Sequence, residues 1–172
     1  MTIHDERPGD ETLISEIQYA AFKGHPMHAP GAEPTEHLIV ERLRMASALS
    51  LSLLAEINGQ GVGHIAISPV ALSESGRGWY ILGPVGILPE HQLKGIGSAL
   101  VGAALQGMRE KGAKGVVLVG DPGYYSRFGF NSFPGLKHHG VPDKYVLALP
   151  FAEEPPQGAI IAHEAFGPAA RE

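Results

Sequence analysis

The sequence predicts a single α/β domain built on a mixed sheet, and three observations lead to that class. Asn58-Gly59 stands between two runs of alternating apolar residues, which is typical of an antiparallel hairpin. The apolar runs Trp79–Leu88 and Gly115–Gly120 flank a helical pattern, which predicts a parallel strand pair with a right-handed crossover. The chain has 172 residues, 44% of them hydrophobic, and suits one core. We therefore expect residues 1–172 to form one domain.

The part of the chain before the hairpin is predicted to hold one strand and two helices. A short strand is expected around Thr2–Asp5, and apolar residues at helical spacing predict a helix over Glu11–Phe22. The next segment is rich in Gly, Pro and His, so it predicts a mobile loop. A second helix is expected from near Thr35, which caps it, to about Ala48.

The part after the hairpin is predicted to alternate strands and helices. Gly83-Pro84 interrupts the Trp79–Leu88 strand, where the two readings are a bulge and a simple kink. The next helix has an apolar stripe and ends at Gly112. A short helix ends near Gly129, and residues 150–172 are expected to add a C-terminal strand extension. The remaining strands are expected near Tyr145–Leu149 and Ala159–His163.

Composition excludes several classes of partner and site. The formal net charge is −5 and no basic run stands out, so we expect no nucleic acid and no membrane as partner. Cysteine is absent, which excludes disulfides, thiolate metal sites and cysteine nucleophiles. The charged N-terminus lacks the apolar core of a secretion signal, so a cytoplasmic location is expected. A homodimer is left open.

The turn before the long helix carries the strongest chemical signal. Two glycines, Gly95 and Gly97, stand where a helix begins, although Gly in a helix costs about 0.5–1 kcal/mol relative to Ala. Such a turn lets backbone amides at the positive end of the helix dipole approach a phosphate. No P-loop occurs, and the dinucleotide fingerprint fails at its third glycine because Leu100 stands there. The alternative is an ordinary turn with Ser98 as the helix cap.

Two segments, in this order along the chain, resemble the GNAT superfamily of N-acetyltransferases. The first is LGPVGILPEHQLKGIGSALV, which contains the pattern Q/R-x-x-G-x-G/A, and the second is YYSRFGF. The longer stretch VLVGDPGYYSRFGF is particularly similar to the YhbS-like subgroup. The resemblance covers about Ile3 to Leu149. It implies the GNAT acyl-CoA N-acyltransferase fold, a mixed central sheet of six to seven strands with about four helices.

The resemblance also implies acetyl-CoA as co-substrate and suggests which residues bind it. Amides from Leu93 through Ser98 would face the pyrophosphate, while Gln92 would orient the loop. The strand at Val85–Ile87 would pair with the pantetheine arm, and the amide of Ile87 would point at the thioester carbonyl. The predicted cofactor-binding residues are Val85, Gly86, Ile87, Gln92, Leu93, Lys94, Gly95, Ile96, Gly97 and Ser98.

By the same resemblance, Tyr125 occupies the position of the family's general acid. A phenol with a pKa of about 10 stays protonated at neutral pH, so it can protonate the departing thiolate. Two alternatives stay open: Tyr125 packs without a chemical role, or Tyr124 is the acid. Asp121 stands where many relatives carry Asn, and we expect it to cap the helix at Pro122.

The sequence does not single out the general base. The loop and helix start that resemble the family's substrate-facing region predict His25, His28 and Glu33 as substrate-binding residues. The candidates for the base are His25, His28, Glu33, Glu36, His64 and Glu90. The pairs His25-x-x-His28 and His138-His139 lack a third ligand, so no metal is expected.

The leading hypothesis is an acetyl-CoA-dependent N-acetyltransferase that acts on a primary amine of a small molecule or peptide. The main alternative is a non-catalytic acyl-CoA-binding or sensing module, and Tyr125 favours catalysis because a sensor tolerates any residue there. A structural domain that exposes apolar surface near AIIAHEAF leaves the glycine turn unexplained.

Overall fold

The computed structural model describes residues 1–26 and 28–167, and these form two compact units. The first unit contains Met1–Ile67 and Gly83–Ala104, and the second contains Ser68–Leu82 and residues 105–167. The first unit contains β1 Thr2–Asp5, α1 Glu11–Phe22, α2 Glu36–Met45 and β2 Leu51–Ile57. Three elements are divided between the units: β3 Gln60–Leu72, β4 Gly76–Ile87 and α3 Ile96–Glu110. The second unit adds β5 Gly115–Val119, α4 Pro122–Tyr125, β6 Asn131–Ser132, β7 Leu136–Lys137, β8 Val146–Pro150 and β9 Gly158–Ile161.

The first unit is an antiparallel strand set covered by two helices. β2 pairs antiparallel with both β1 and β3, and the hairpin turn between β2 and β3 is Asn58-Gly59. Both turn residues have positive φ, 52° and 77°, as a type I′ turn requires. Helices α1 and α2 close the core, whose buried residues are Ile14, Ile17, Val40, Leu54 and Ala66.

The second unit holds the parallel strand pair. Trp79–Ile81 of β4 runs parallel to Gly115–Val117 of β5, and β8 lies antiparallel to β5. The end of β3 pairs antiparallel with β9, which lies in the predicted C-terminal extension. Residues 168–172 of that extension lie outside the described residues. The core of this unit is built on Trp79, Val117, Leu136, Val146 and Ile160, all buried.

Several predicted boundaries match the structure. The first strand and the first helix have the predicted bounds, Thr2–Asp5 and Glu11–Phe22. The predicted cap at Asp121 is confirmed, since its Oδ1 accepts a hydrogen bond from the Gly123 amide at 3.0 Å. Helix α3 ends as expected, with Gly112 at φ 79° and the Ala113 amide bonded to the Met108 carbonyl at 3.1 Å.

Other predicted boundaries are wrong. Helix α2 ends at Met45 and not at Ala48, because Ser47 adopts φ 55° and the Ala48 amide bonds back to the Leu43 carbonyl at 2.8 Å. This is the same termination motif as at Gly112, formed without a glycine. The side chain of Thr35 makes no capping hydrogen bond, so that predicted cap is wrong.

The later strands also differ from the predictions. The β4 strand begins at Gly76, three residues before Trp79, and Tyr145 lies in a short 3₁₀ turn ahead of β8. The last strand ends at Ile161. The two-residue strands β6 and β7 carry too short a pattern to be predicted. None of the helices formed by the described residues is long and apolar enough to cross a membrane.

Candidate active site

The turn between β4 and α3 has an unusual backbone. A 3₁₀ turn, Pro89–His91, follows β4, and the exposed residues up to Gly95 lead into the helix, which begins at Ile96. Leu93 and Gly95 both have left-handed φ values, 62° and 83°. A Cβ at Gly95 would meet no atom within 4 Å, so its glycine is required by the backbone conformation and not by crowding.

This turn ends at the positive end of a long helix. A hydrogen bond from the Ala99 amide to the Gly95 carbonyl, at 3.1 Å, leads into the helix. The amides of Ile96 and Gly97 precede it at the positive end of the helix dipole, which is the usual geometry of an anion site. Ser98 is the third residue of the helix, so the reading of Ser98 as its cap is wrong.

Gln92 ties this turn to the end of β4. Its Nε2 donates a hydrogen bond to the Ile87 carbonyl at 3.1 Å. This contact supports the predicted loop-orienting role. The start of α3 is anchored below the turn, because Ile96 is buried and packs with Ile87 and Leu100 over the bare face of Gly63. A Cβ at Gly63 would lie 2.8 Å from Ile87 Cδ1, so a side chain at that position would displace the side chain of Ile87.

The end of β4 carries the second predicted contact region. The Gly83-Pro84 bond is cis and Gly83 has φ 137°, and β4 runs without interruption through both residues. Gly86 has a different reason for lacking a side chain. A Cβ there would lie 2.5 Å from Gln18 Oε1 and 3.1 Å from the Cβ of Ala21. The space beside Gly86 is therefore filled by helix α1.

Tyr125 lies in the second unit, at the last residue of α4. Its ring packs edge-on against Tyr124 and Phe130, with centroid distances of 4.9 and 5.9 Å. Gly120 leaves room for it, since a Cβ there would lie 2.6 Å from Tyr125 Cε2. Burial, with a smaller contribution from Tyr124, raises the pKa of Tyr125 to about 12. The phenol therefore keeps its proton through the neutral range.

The predicted substrate-facing residues lie in the first unit, where they form two groups. His25 and His28 lie together beside Phe22, with 5.9 Å between the two imidazole centroids. The Nε2 of His28 lies 2.9 Å from Glu36 Oε2. The Nδ1 of His28 is buried and has no hydrogen-bond partner.

Glu33 belongs to the second group. Its carboxylate accepts hydrogen bonds from Lys23 Nζ at 2.6 Å and from the Tyr19 hydroxyl at 2.5 Å. These bonds, that from Lys23 foremost, lower the pKa of Glu33. A paired carboxylate with a lowered pKa is a weak base, so the geometry does not favour Glu33 in that role. Glu90 is exposed in the 3₁₀ turn.

His64, another candidate for the base, is fully buried in β3. Its Nδ1 lies 2.8 Å from Gln18 Nε2, and its Nε2 lies 2.8 Å from Ser52 Oγ. Burial lowers the pKa of His64 to about 3. Both ring nitrogens are engaged, so the geometry does not favour His64 as the base either.

Sequence reasoning missed the polar partners of His64. Gln18 is a polar residue on the apolar face of α1, four residues after Ile14 and next to Ile17, both buried. A polar residue on a buried helix face was the available signal. Within residues 1–26 and 28–167, His, Asp and Glu form no group of three or more that could hold a metal ion.

Residues 14–130 match the acetyltransferase (GNAT) family, which defines the class of protein. The chain belongs to this family, and the mixed sheet with about four helices is its fold, as the sequence resemblance implied.

Particular relatives agree with that class. The chain is similar to a GNAT family acetyltransferase from Brucella melitensis, solved in complex with acetyl-CoA, with 42% identity, TM-score 0.82 and coverage of 96% of this chain and 97% of the other. It is also similar to Escherichia coli YhbS, solved in complex with CoA, with 26% identity, TM-score 0.86 and coverage of 99% and 93%. The uncharacterized N-acetyltransferase YjhQ of Escherichia coli K12 is 30% identical over 144 residues, which cover 82% of this chain and 75% of YjhQ.

Proposed function

We propose that this chain transfers the acetyl group of acetyl-CoA to a primary amine of a small molecule or peptide by direct attack of the amine on the thioester. The observation that carries the proposal is the turn at Leu93–Gly95. Its two left-handed residues lead into the first amides of a 15-residue helix. The related Brucella melitensis acetyltransferase is solved in complex with acetyl-CoA, which favours that ligand for this turn.

In this proposal the backbone supplies most of the binding. Amides from Leu93 through Ser98 hold the pyrophosphate, helped by the positive end of the α3 dipole. Gln92 keeps the turn in place through the Ile87 carbonyl. The segment Val85–Ile87 binds the pantetheine arm, and the Ile87 amide donates to the oxygen of the thioester carbonyl as it gains negative charge.

The reaction forms a C–N bond and breaks a C–S bond. The acceptor first loses a proton from its ammonium group to a base, and the free amine then attacks the carbonyl carbon. The tetrahedral intermediate collapses with loss of the CoA thiolate, and the nitrogen loses its remaining extra proton. The acetyl group leaves on the amine, and the thiolate takes a proton to become free CoA.

Tyr125 is the proposed donor of that last proton. A phenol with a pKa of about 12 is a weaker acid than a thiol, whose pKa is about 8.5. Tyr125 therefore acts first as a hydrogen-bond donor that stabilises the sulfur as negative charge develops there. Donation of a hydrogen bond to a developing charge is worth most in a site that excludes water.

His28 is the base that the geometry of the first unit favours. Glu36 lies against one ring nitrogen at 2.9 Å and holds the imidazole in place. The other nitrogen, Nδ1, is buried and has no hydrogen-bond partner, so it takes a proton only from an acceptor that reaches the ring. A base whose ring is oriented by a carboxylate is a recurrent arrangement in acyl transfer. In this proposal His25 and Glu33 complete the acceptor region, Glu33 as the anchor of the loop through Lys23 and Tyr19.

The primary test is thiol release from acetyl-CoA across a panel of amines that includes polyamines, amino acids, aminoglycosides and peptides. We expect release with at least one class, and we expect CoA to raise the melting temperature because it binds only the folded chain. CoA binding without thiol release for any amine would favour the sensing module. No shift and no calorimetric heat at millimolar CoA would reject both functions.

We predict that Tyr125→Phe lowers kcat by about 10²-fold, the lower end of the range for a positioned acid, because the phenol is a weak acid. The Kd for CoA should stay within about threefold, since the ring still packs on Phe130. Tyr124→Phe is the matched control and should retain most of its activity. Full activity of Tyr125→Phe with every accepted amine would remove Tyr125 from the mechanism.

We predict that His28→Gln lowers kcat/KM at neutral pH by about 10²-fold, because the side chain that takes the proton from the acceptor is lost. His25→Gln, in the neighbouring ring, is the control and should lower kcat/KM far less. An unchanged kcat/KM in His28→Gln would transfer the role to another group.

A further inference from the structure

Gln18 is a polar side chain in a place that favours apolar ones. It is fully buried in α1, on the face that carries Ile14 and Ile17. Burial of a carboxamide costs free energy unless its hydrogen bonds are made. The Nε2 of Gln18 lies 2.8 Å from His64 Nδ1 and 3.2 Å from the Pro84 carbonyl oxygen. Its two hydrogens therefore connect three elements, α1, β3 and the end of β4.

The hydrogen bonds beyond His64 have one consistent direction. Gln18 donates to Nδ1 of His64, so the neutral ring carries its proton on Nε2 and donates to Ser52 Oγ, 2.8 Å away. Ser52 donates in turn to Glu6 Oε1 at 2.6 Å. Arg44 holds the Glu6 carboxylate with two bonds, of 2.7 and 2.9 Å. We call Gln18, His64, Ser52, Glu6 and Arg44 the Gln18 chain.

The other end of the carboxamide lies against the backbone of β4. Gln18 Oε1 is buried and has no hydrogen-bond partner. It lies over Gly86, where a Cβ would approach it to 2.5 Å. The side chain thus bonds to the carbonyl of Pro84 and covers the Cα of Gly86, two residues further along. These contacts restrain both the rotation and the lateral position of the strand between them.

From these contacts we infer that Gln18 is a positioning residue, which places the backbone of Val85–Ile87 for the pantetheine arm of the CoA ligand. This inference rests on the proposed function, in which that segment binds the arm. Gln18 itself touches no reacting atom. A leucine would also pack at this position, but it has no N–H groups. The two N–H groups of the Gln18 carboxamide can bond to a ring nitrogen and a backbone carbonyl at the same time.

The test compares two ligands that differ only in the arm. CoA carries pantetheine, whereas adenosine 3′-phosphate 5′-diphosphate is the part of CoA that lacks it. In Gln18→Met, which keeps the volume and removes the donors, we expect CoA to bind about tenfold more weakly, the effect of about one hydrogen bond. The affinity for the nucleotide should stay within about twofold. Gln18→Asn, which keeps the carboxamide but shortens its reach, should give the same split.

The control is Ile14→Val, a conservative change at a buried position on the same helix. The affinities of Ile14→Val for CoA and for the nucleotide should both stay within about twofold of the wild-type values. Amide chemical shifts of Val85, Gly86 and Ile87, recorded without ligand, should move in both Gln18 variants and not in the control. Equal losses of affinity for CoA and for the nucleotide in the Gln18 variants would overturn the inference. So would unchanged affinities together with unchanged chemical shifts. Neither result would contradict CoA binding by the wild-type chain. A wild-type chain that binds neither ligand would instead overturn the proposed function, and the inference with it.

Discussion

Gly86 and Gly95 lie nine residues apart on the two sides of the turn into α3, and they are glycine for opposite reasons. Gly86 has no room for a Cβ, because Gln18 and Ala21 fill the space beside it. Gly95 has open space around it but a φ of 83°. One position is constrained by packing and the other by backbone conformation. The comparison teaches that a glycine near a site indicates close contact with a ligand only where no protein atom fills the space that its Cβ would take.

The largest effect that tests this comparison is expected for Gly86→Ala. The added Cβ would overlap Gln18 Oε1 at 2.5 Å, in a part of the chain where both residues are buried. We expect the free energy of unfolding to fall by about 1–3 kcal/mol, as for other overpacked sites. Urea unfolding measures it. The control is Gly102→Ala, on the exposed side of α3 with no atom near, which should instead gain about 0.5–1 kcal/mol.

Equal stability of Gly86→Ala and the wild type would mean that the crowding relaxes without cost, and the contrast with Gly95 would fail.

The second prediction concerns the crowded side and its dependence on pH. Burial lowers the pKa of His64 to about 3, whereas an unfolded histidine titrates near 6.5. Between these values the unfolded state binds more protons, so the free energy of unfolding rises with pH. The stabilisation is complete above about pH 6.5 and is lost as the pH falls toward 3. The expected slope is about 1 kcal/mol per pH unit between pH 6 and 5.

Denaturation of the wild type and of His64→Gln across pH 4.5–6.5 measures this slope by difference. Burial raises the pKa of Glu6, but its hydrogen bonds with Arg44 and Ser52 outweigh that effect and lower the pKa overall, so Glu6 adds to the slope at the acid end of this range. The pKa of His138 is also lowered by burial, so a residual slope should survive in the variant. Identical slopes in the two proteins would show that His64 is protonated in the folded chain.

The third and smallest prediction concerns the open side. Gly95→Ala should lower the free energy of unfolding by about 1 kcal/mol, because an L-residue is strained at φ 83° even though no atom opposes the methyl group. Thermal unfolding measures the change. The companion is Leu93→Gly, since Leu93 has φ 62° and a fully exposed side chain.

Relief of the Leu93 strain outweighs the added freedom of the unfolded glycine, so Leu93→Gly should gain between about 0 and 1 kcal/mol. A loss of stability in Leu93→Gly would indicate that the exposed leucine makes a contact worth more than its strain.

Much of this molecule followed from local sequence because the responsible forces act over a few residues. The bounds of α1 came from the spacing of Ile14 and Ile17, and the hairpin came from Asn58-Gly59. The end of α3 came from Gly112, because glycine adopts a left-handed φ at little cost. The family also followed from the sequence, through two segments that both lie inside the matched residues 14–130.

Tertiary structure decided the features that depend on residues far apart in the chain. Ser47 ends α2 in a conformation that its side chain does not favour, so no local signal marked it. The sequence shows glycine at 86 and at 95 without the reason for either. Gly86 lacks a side chain because Gln18 fills the space beside it. Gln18 in turn is held there by His64, 46 residues away in the chain. Burial and hydrogen-bond partners are properties of the assembled chain, and no pattern of neighbouring residues encodes them.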